Sequence, residues 1–314
     1  MVQVGLLLSD VPTSVPPSQQ FRDVLRIVAA AQANDFTYIA IGQHFLYGDL
    51  RWLQPVPLLA AKGGVATLDV VTEGRLVFGV GLGYRPEEFG YLDVPFAERA
   101  ARMDESLQLM RRLWTQDEVD FRGRFWTLEQ VRPHLKPVQS PYPPIWIGGH
   151  SLAGARRAGR YGDAYACPPE TPVDEAAQRY AAVKAGYDAR GKAFGPQPLR
   201  RNVLVAGTRE QAVTEYARVA QGRYITYAQR GLDVMADTDL ERDFAAAVAG
   251  HAVIGTADDV TKQLLDLVTT LPVDPLLVRP QWPTMDADET IAAIRRLGAE
   301  VVPALRAVEP RTSI

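Results

Sequence analysis

One cysteine, Cys167, is all the thiol this chain of 314 residues carries. An internal disulfide is therefore excluded, as is any zinc or redox motif built on paired cysteines. Histidine is also scarce, with four in all. His134 and His251 have no partners at ligand spacing, so no metal site is expected. No apolar run approaches the ~18 residues of a membrane span. The opening MVQVGLLLSD has no basic start and meets Asp10 early, so it reads as a first strand and not as a secretory signal, and a cytoplasmic location is expected. Neither sign of charge dominates: the net charge is −3 and the pI about 5.9. Without a basic cluster interleaved with aromatics, nucleic acid is not expected as a partner.

What is present is an ordinary globular balance, 47% apolar and 23% charged. The length suits one large domain over residues 1–314, since no linker or composition break divides it. Strand-like and helix-like patterns alternate. Continuous apolar runs at 2–8, 37–42, 75–81, 143–149, 163–167, 199–207 and 274–280 give seven strands. Helical spacing follows at 21–33, where Phe21, Val24, Leu25, Val28 and Ala31 share a face, and at 96–115, where Met103, Leu107, Met110 and Trp114 form a stripe. Further helices are predicted over 172–190, 209–220, 256–270 and 286–307, with Thr256 and Asp258 suited to an N-cap. Residues 119–128 read as a hairpin turning at Arg122-Gly123, and 222–249 as a less regular stretch, an insertion plus a helix. Repeated βα units imply a parallel sheet covered by helices; a doubly wound sheet and a barrel both fit the periodicity. Strand ends that carry polar residues favour the barrel, whose sites lie there.

The stretch IWIGGHSLAGARR (145–157) suits two chemistries. As a nucleophile elbow it makes Ser151 the nucleophile of a serine esterase, with His251 as base and Asp163, Asp174, Asp188 or Asp233 as the acid. Against this, Ala153 stands where the elbow has glycine, and no HGG-type oxyanion segment precedes it. As a phosphate cradle it offers Gly148, Gly149, His150 and Ser151 at a helix start, where free N–H groups and the helix dipole favour an anion. The plain structural reading is a helix capped by Ser151, with Arg156 and Arg157 solvated.

GVGLGY (79–84) is not a dinucleotide loop, because Arg85-Pro86-Glu87-Glu88 follows where a helix should open. Glu87 and Glu88 are adjacent, so they point opposite ways and do not form a glycosidase pair. His44, at the end of the second strand, has a side chain suited to proton transfer near neutrality. Trp282 lies between prolines and reads either as a core aromatic or as a pocket wall. Cys167 reads as a pocket liner and not as a nucleophile.

IGQHF (41–45), ATLDVVTEGRLVFGVGLGYRPEEF (66–89), VDFRGRFWTL (119–128), PPIWIGGHS (143–151), HAVIGTADDV (251–260), LLVRPQWPTM (276–285) and RRLGAEVVPALR (295–306) occur together and in order. In this the chain resembles the bacterial luciferase-like family of flavin-dependent monooxygenases and F420-dependent oxidoreductases. The resemblance implies a (β/α)8 TIM barrel with insertions, and a site at the barrel mouth for reduced FMN or F420. It also implies a small organic substrate, O2 as co-substrate, a separate flavin reductase as partner, and a homodimer. His44 becomes the candidate catalytic residue. Gly81, Gly83, Tyr84, Gly148, Gly149, His150 and Ser151 become cofactor contacts, with Ser151 on the phosphate, and Gln43, Phe45, Cys167 and Trp282 line the substrate pocket. Two departures stand out. Leu82 occupies the place of a phosphate-holding arginine of the luciferases, and Gly42-Gln43 replaces their acidic and second histidine residues. A third is larger: residues 55–61 and 62–70 abut where the family has a third strand and its loop. Either the barrel is shortened there or a segment is missing between the two flanks. A barrel without that strand exposes two sheet edges.

Overall fold

The structure is a computed structural model that describes residues 1–8, 11–12, 14–41, 50–51, 60–229, 243–244 and 252–313. In chain order its elements are β1 (Val4–Leu8), β2 (Val11–Pro12), α1 (Pro17–Ala33), β3 (Tyr38–Ile41), β4 (Leu50–Arg51), α2 (Ala60–Val71), β5 (Phe78–Val80) and α3 (Pro86–Tyr91). A 3-10 turn, Phe96–Glu98, leads into α4 (Arg99–Thr115), followed by β6 (Val119–Arg122), β7 (Thr127–Val131), β8 (Ile145–Gly148), α5 (Leu152–Tyr161), β9 (Ala164–Ala166) and α6 (Val173–Asp188). Then come β10 (Gln197–Val205), α7 (Arg209–Gln229), β11 (Val253–Gly255), α8 (Ala257–Thr270), β12 (Val273–Arg279), α9 (Ala287–Glu300) and α10 (Val302–Arg306). The chain divides into two compact units. The first holds residues 1–54, 167–180 and 193–314, and the second 55–166 and 181–192.

The first unit is built on a five-stranded sheet in the order β11-β10-β12-β1-β3, with every strand pair parallel. Every residue of β1 is buried, as a parallel strand covered on both faces requires. Gly5 is forced there: a Cβ would stand 2.4 Å from Leu277 of β12 and 2.7 Å from the Cβ of Tyr38 on β3. Two capping boxes set the starts of α8 and α9. Thr256 Oγ1 accepts from the Asp259 N–H at 3.2 Å while Asp259 accepts from the Thr256 N–H at 3.1 Å, and Asp286 and Glu289 repeat the exchange. The cap partner is thus Asp259, not Asp258.

Four sequence expectations change here. β11 is a strand the apolar pattern did not announce; its three residues add an eighth parallel strand among the described residues. The closing helix breaks at Val301, ahead of Pro303 in the first turn of α10, because proline cannot continue the ladder. The buried face of α1 is Gln20, Ile27 and Ala31, while Phe21 and Leu25 are 55% and 54% exposed. α7 runs on to Gln229, into the stretch read as irregular; the rest of that stretch, apart from residues 243–244, lies outside the described residues.

The second unit carries a parallel sheet in the order β5-β8-β9 and the hairpin of β6 and β7, antiparallel as the sequence predicts. The hairpin turn is held from α4: Glu105 accepts the backbone N–H groups of Arg124, Phe125 and Trp126 at 2.9, 2.9 and 2.8 Å. α2 runs without interruption through the Ala61-Lys62 junction, so among the described residues no strand stands between β4 and β5. β3 is accordingly an edge of its own sheet and β5 an edge of its own. On β3, Ile39 and Ile41 are 38% and 51% exposed, in contrast to fully buried β1. Within α2, Asp69 is fully buried and accepts from Gln139 through backbone (2.9 Å) and side chain (2.7 Å).

Candidate active site

In the second unit the register Phe78↔Ile145, Gly79↔Trp146, Val80↔Ile147 sets the carboxyl ends of β5 and β8 side by side. The loop holding Gly81, Gly83 and Tyr84 leaves one end, and Gly148-Gly149-His150-Ser151 leaves the other. The sequence candidates for cofactor contact therefore meet on one rim, although they stand far apart in the chain.

The rim is open. A Cβ at Gly81 would meet nothing within 4 Å, and Gly83 adopts φ +75, a backbone that favours glycine. At Gly149 a Cβ would press on Gly154 Cα at 3.3 Å, so the loop is drawn against the first turn of α5. Tyr165 of β9 fixes it further by donating its hydroxyl to the Gly149 carbonyl.

Ser151 is the N-cap of α5, and its Oγ accepts from the Gly154 N–H at 3.3 Å. Its φ of −125 and ψ of 160 are ordinary extended backbone. A nucleophile elbow is a sharp strained turn, so the geometry is that of a cap. Capping uses an Oγ lone pair and leaves the hydroxyl proton to donate. His150, Ser151 and Leu152 are exposed, and the first N–H groups of a helix have no partner inside it. Of the two arginines behind them, Arg157 is committed to Asp104 on α4 at 2.5 Å, while Arg156 is exposed.

His44, Gln43 and Phe45 lie outside the described residues, as does His251. The two remaining pocket candidates, both in the first unit, are buried. Cys167 is fully buried, bridges Leu199 of β10, and has its thiol pushed up by burial. With no exposed surface it is sealed and does not line open space. Trp282 is 1% exposed, within a cluster that includes Tyr216, Tyr224 and Phe244. Its ring stands edge-on to Tyr216 at 5.0 Å, so the core-aromatic reading holds. Burial raises the hydroxyl pKa of both tyrosines.

Next to Trp282 lies a polar group that sequence reasoning missed. Asn202 of β10 is fully buried; its Oδ1 accepts from Arg279 Nε at 2.9 Å, and its Nδ2 donates to Glu170 at 3.1 Å and to the Tyr224 hydroxyl at 2.8 Å. Tyr224 and Tyr216 share a hydrogen bond at 3.2 Å. Arg201, 5% exposed, is neutralised by main-chain dipoles, donating to the carbonyls of Pro168, Pro169, Arg200 and Thr171. The one available sequence signal was charge and amide inside otherwise apolar strands, Arg201-Asn202 in β10 and Arg279 at the end of β12.

Among the described residues no cluster of His, Cys, Asp or Glu could hold a metal ion, and no helix is long and apolar enough to cross a membrane.

Sequence and fold match one class of protein. The family described as Luciferase-like monooxygenase matches residues 56–274, and the chain belongs to it. The fold agrees with the monooxygenase RslO1 from Streptomyces bottropensis, at a TM-score of 0.82 and 21% identity, over 97% of this chain and 100% of that one. The architecture is therefore the luciferase-like TIM barrel. Among curated relatives, the F420-dependent glucose-6-phosphate dehydrogenase of Amycolatopsis mediterranei is 34% identical over 131 residues, 40% of this chain and 39% of that protein. The FMNH(2)-dependent dimethylsulfone monooxygenase of Pseudomonas putida is 37% identical over 112 residues, 35% of this chain and 31% of that protein. The matched stretches span about a third of the length of such relatives.

Proposed function

We propose that the protein is a flavin-dependent oxidoreductase, a monooxygenase that uses reduced FMN and O2 on a small organic molecule. The observation that carries this reading is the rim of the second unit. There a glycine-rich strand end, the open Gly81–Gly83 loop and the first turn of α5 adjoin. The rim suits the cofactor: the N–H groups of the first turn of α5 and the hydroxyl of Ser151 would hold the phosphate, and the side-chain-free backbone at Gly81 and Gly83 would let the ring system lie close. Bound reduced flavin supplies the electrons for activating O2. His44 is assigned the proton transfers at the substrate, and Gln43 and Phe45 the pocket beside it. Cys167 and Trp282 belong to the buried core, Cys167 fully and Trp282 at 1% exposure. A reductase that delivers the reduced flavin, a cytoplasmic location and a homodimer complete the reading.

F420 is the second reading, favoured by one observation: Leu82, half-buried on the rim, stands where the FMN-using luciferases have arginine. Anaerobic titration separates the two. Saturable binding of reduced FMN, with O2 uptake on aeration, supports the monooxygenase. Binding of reduced F420 with substrate reduction and no O2 uptake selects the second reading. Binding of neither refutes both. Labelling of Ser151 by a fluorophosphonate would restore the esterase.

A further inference from the structure

We propose that Arg279 is a substrate-recognition residue, and that its guanidinium fork takes a carboxylate of the substrate; calling that ligand the substrate rests on the oxidoreductase reading above. Arg279 is the last residue of β12, at the carboxyl end of a parallel strand, where barrels of this class carry their chemistry. The register Asn202↔Arg279 puts both residues on one face of the sheet. Arg279 is 5% exposed, yet among the described residues it makes a single hydrogen bond, from Nε to Asn202 at 2.9 Å. Its Nη2 stands 4.0 Å from the nearer Glu170 oxygen, beyond hydrogen-bond reach.

A buried guanidinium with unused donors is costly unless something accepts from them. Glu170 accepts from Asn202 at 3.1 Å and from Tyr224 at 3.4 Å. Trp282 adds a second unmet donor: its ring lies 5.1 Å from the Arg279 guanidinium, and its Nε1 is buried with no acceptor among the described residues. A planar anion with two acceptor oxygens matches the fork in shape and sign.

The test uses benzoate and its neutral isostere benzamide as probes, titrated by calorimetry into the full chain without cofactor. Wild type should bind benzoate roughly tenfold or more tightly than benzamide, the scale of charge-assisted hydrogen bonds. Arg279→Met should abolish that preference, and Arg279→Lys, which keeps the charge and loses the fork, should restore part of it. If the Met variant does not fold, the Lys variant alone must still lose several-fold. Equal binding of the two probes by wild type, or an unchanged preference in the variants, overturns the proposal. A parallel titration with FMN and riboflavin identifies the source of the anion. If Arg279→Met weakens FMN and spares riboflavin, the fork holds the cofactor phosphate and the substrate assignment fails. If benzoate selection is intact but no flavin or F420 binds, the oxidoreductase reading fails and the anion site stands.

Discussion

Replacing Ser151 with alanine removes two interactions that differ in kind. The first is the cap on α5, a 3.3 Å bond from the Gly154 N–H. Losing a serine N-cap costs about 1 kcal/mol, which lowers Tm by about 2 °C in a chain of this size. The second exists only with cofactor bound. In the proposed cofactor complex the Ser151 hydroxyl would donate to a phosphate oxygen, and a hydrogen bond to a charged group is worth about 1.5–3 kcal/mol. That corresponds to about 10- to 150-fold in Kd. Riboflavin has no phosphate, so its affinity should be the same in wild type and variant. Ser151→Thr keeps both the cap and the donor and should bind FMN like wild type. Fluorescence titration with FMN and riboflavin, alongside thermal melts, reads every quantity. FMN affinity unchanged within twofold in Ser151→Ala would refute the phosphate assignment. A parallel fall for FMN and riboflavin would show that the serine acts through the fold alone.

Other positions test the fold that carries the site. Gly159 of α5 and Gly186 of α6 are in backbone contact: a Cβ at Gly186 would stand 2.6 Å from the Gly159 carbonyl carbon. Gly186→Ala should therefore destabilise by about 1–3 kcal/mol in urea unfolding, an overpacking cost with no flexible side chain to yield. Asp69→Ala leaves the part-buried Gln139 N–H without its acceptor and should cost about 1–3 kcal/mol in the same assay. The Cys167 thiol, raised by burial, should stay protonated and resist a thiol-specific disulfide reagent at pH 8 in the native protein. It should react at once in denaturant; fast native labelling would contradict its burial.

The alternation of apolar runs with helical spacing was enough to place the strands, because parallel strands buried on both faces leave long uninterrupted runs such as VGLLL in β1. β11 escaped because three residues carry no periodicity. The face of α1 was misassigned because spacing alone does not separate Phe21 and Leu25 from the neighbouring stripe, Gln20, Ile27 and Ala31, that is buried. The seam between residues 61 and 62 was legible in the sequence, and among the described residues it lies inside one continuous helix, with β3 and β5 each an edge of its own sheet. On the rim, the strand end at Gly148, Gly149 and the helix start capped by Ser151 were readable because they lie within a few residues of one another. The group of Glu170, Asn202, Tyr224 and Arg279 was not, since its members come from separate elements and only the register of β10 and β12 brings two of them together.

The central claim is that the first turn of α5 holds the phosphate of a flavin-type cofactor, and a crystal structure with FMN bound tests it most directly. The account predicts phosphate oxygens about 2.7–3.2 Å from the backbone N–H groups that open α5 and from the Ser151 hydroxyl. A phosphate bound elsewhere, with that turn left empty at saturating FMN, would contradict it.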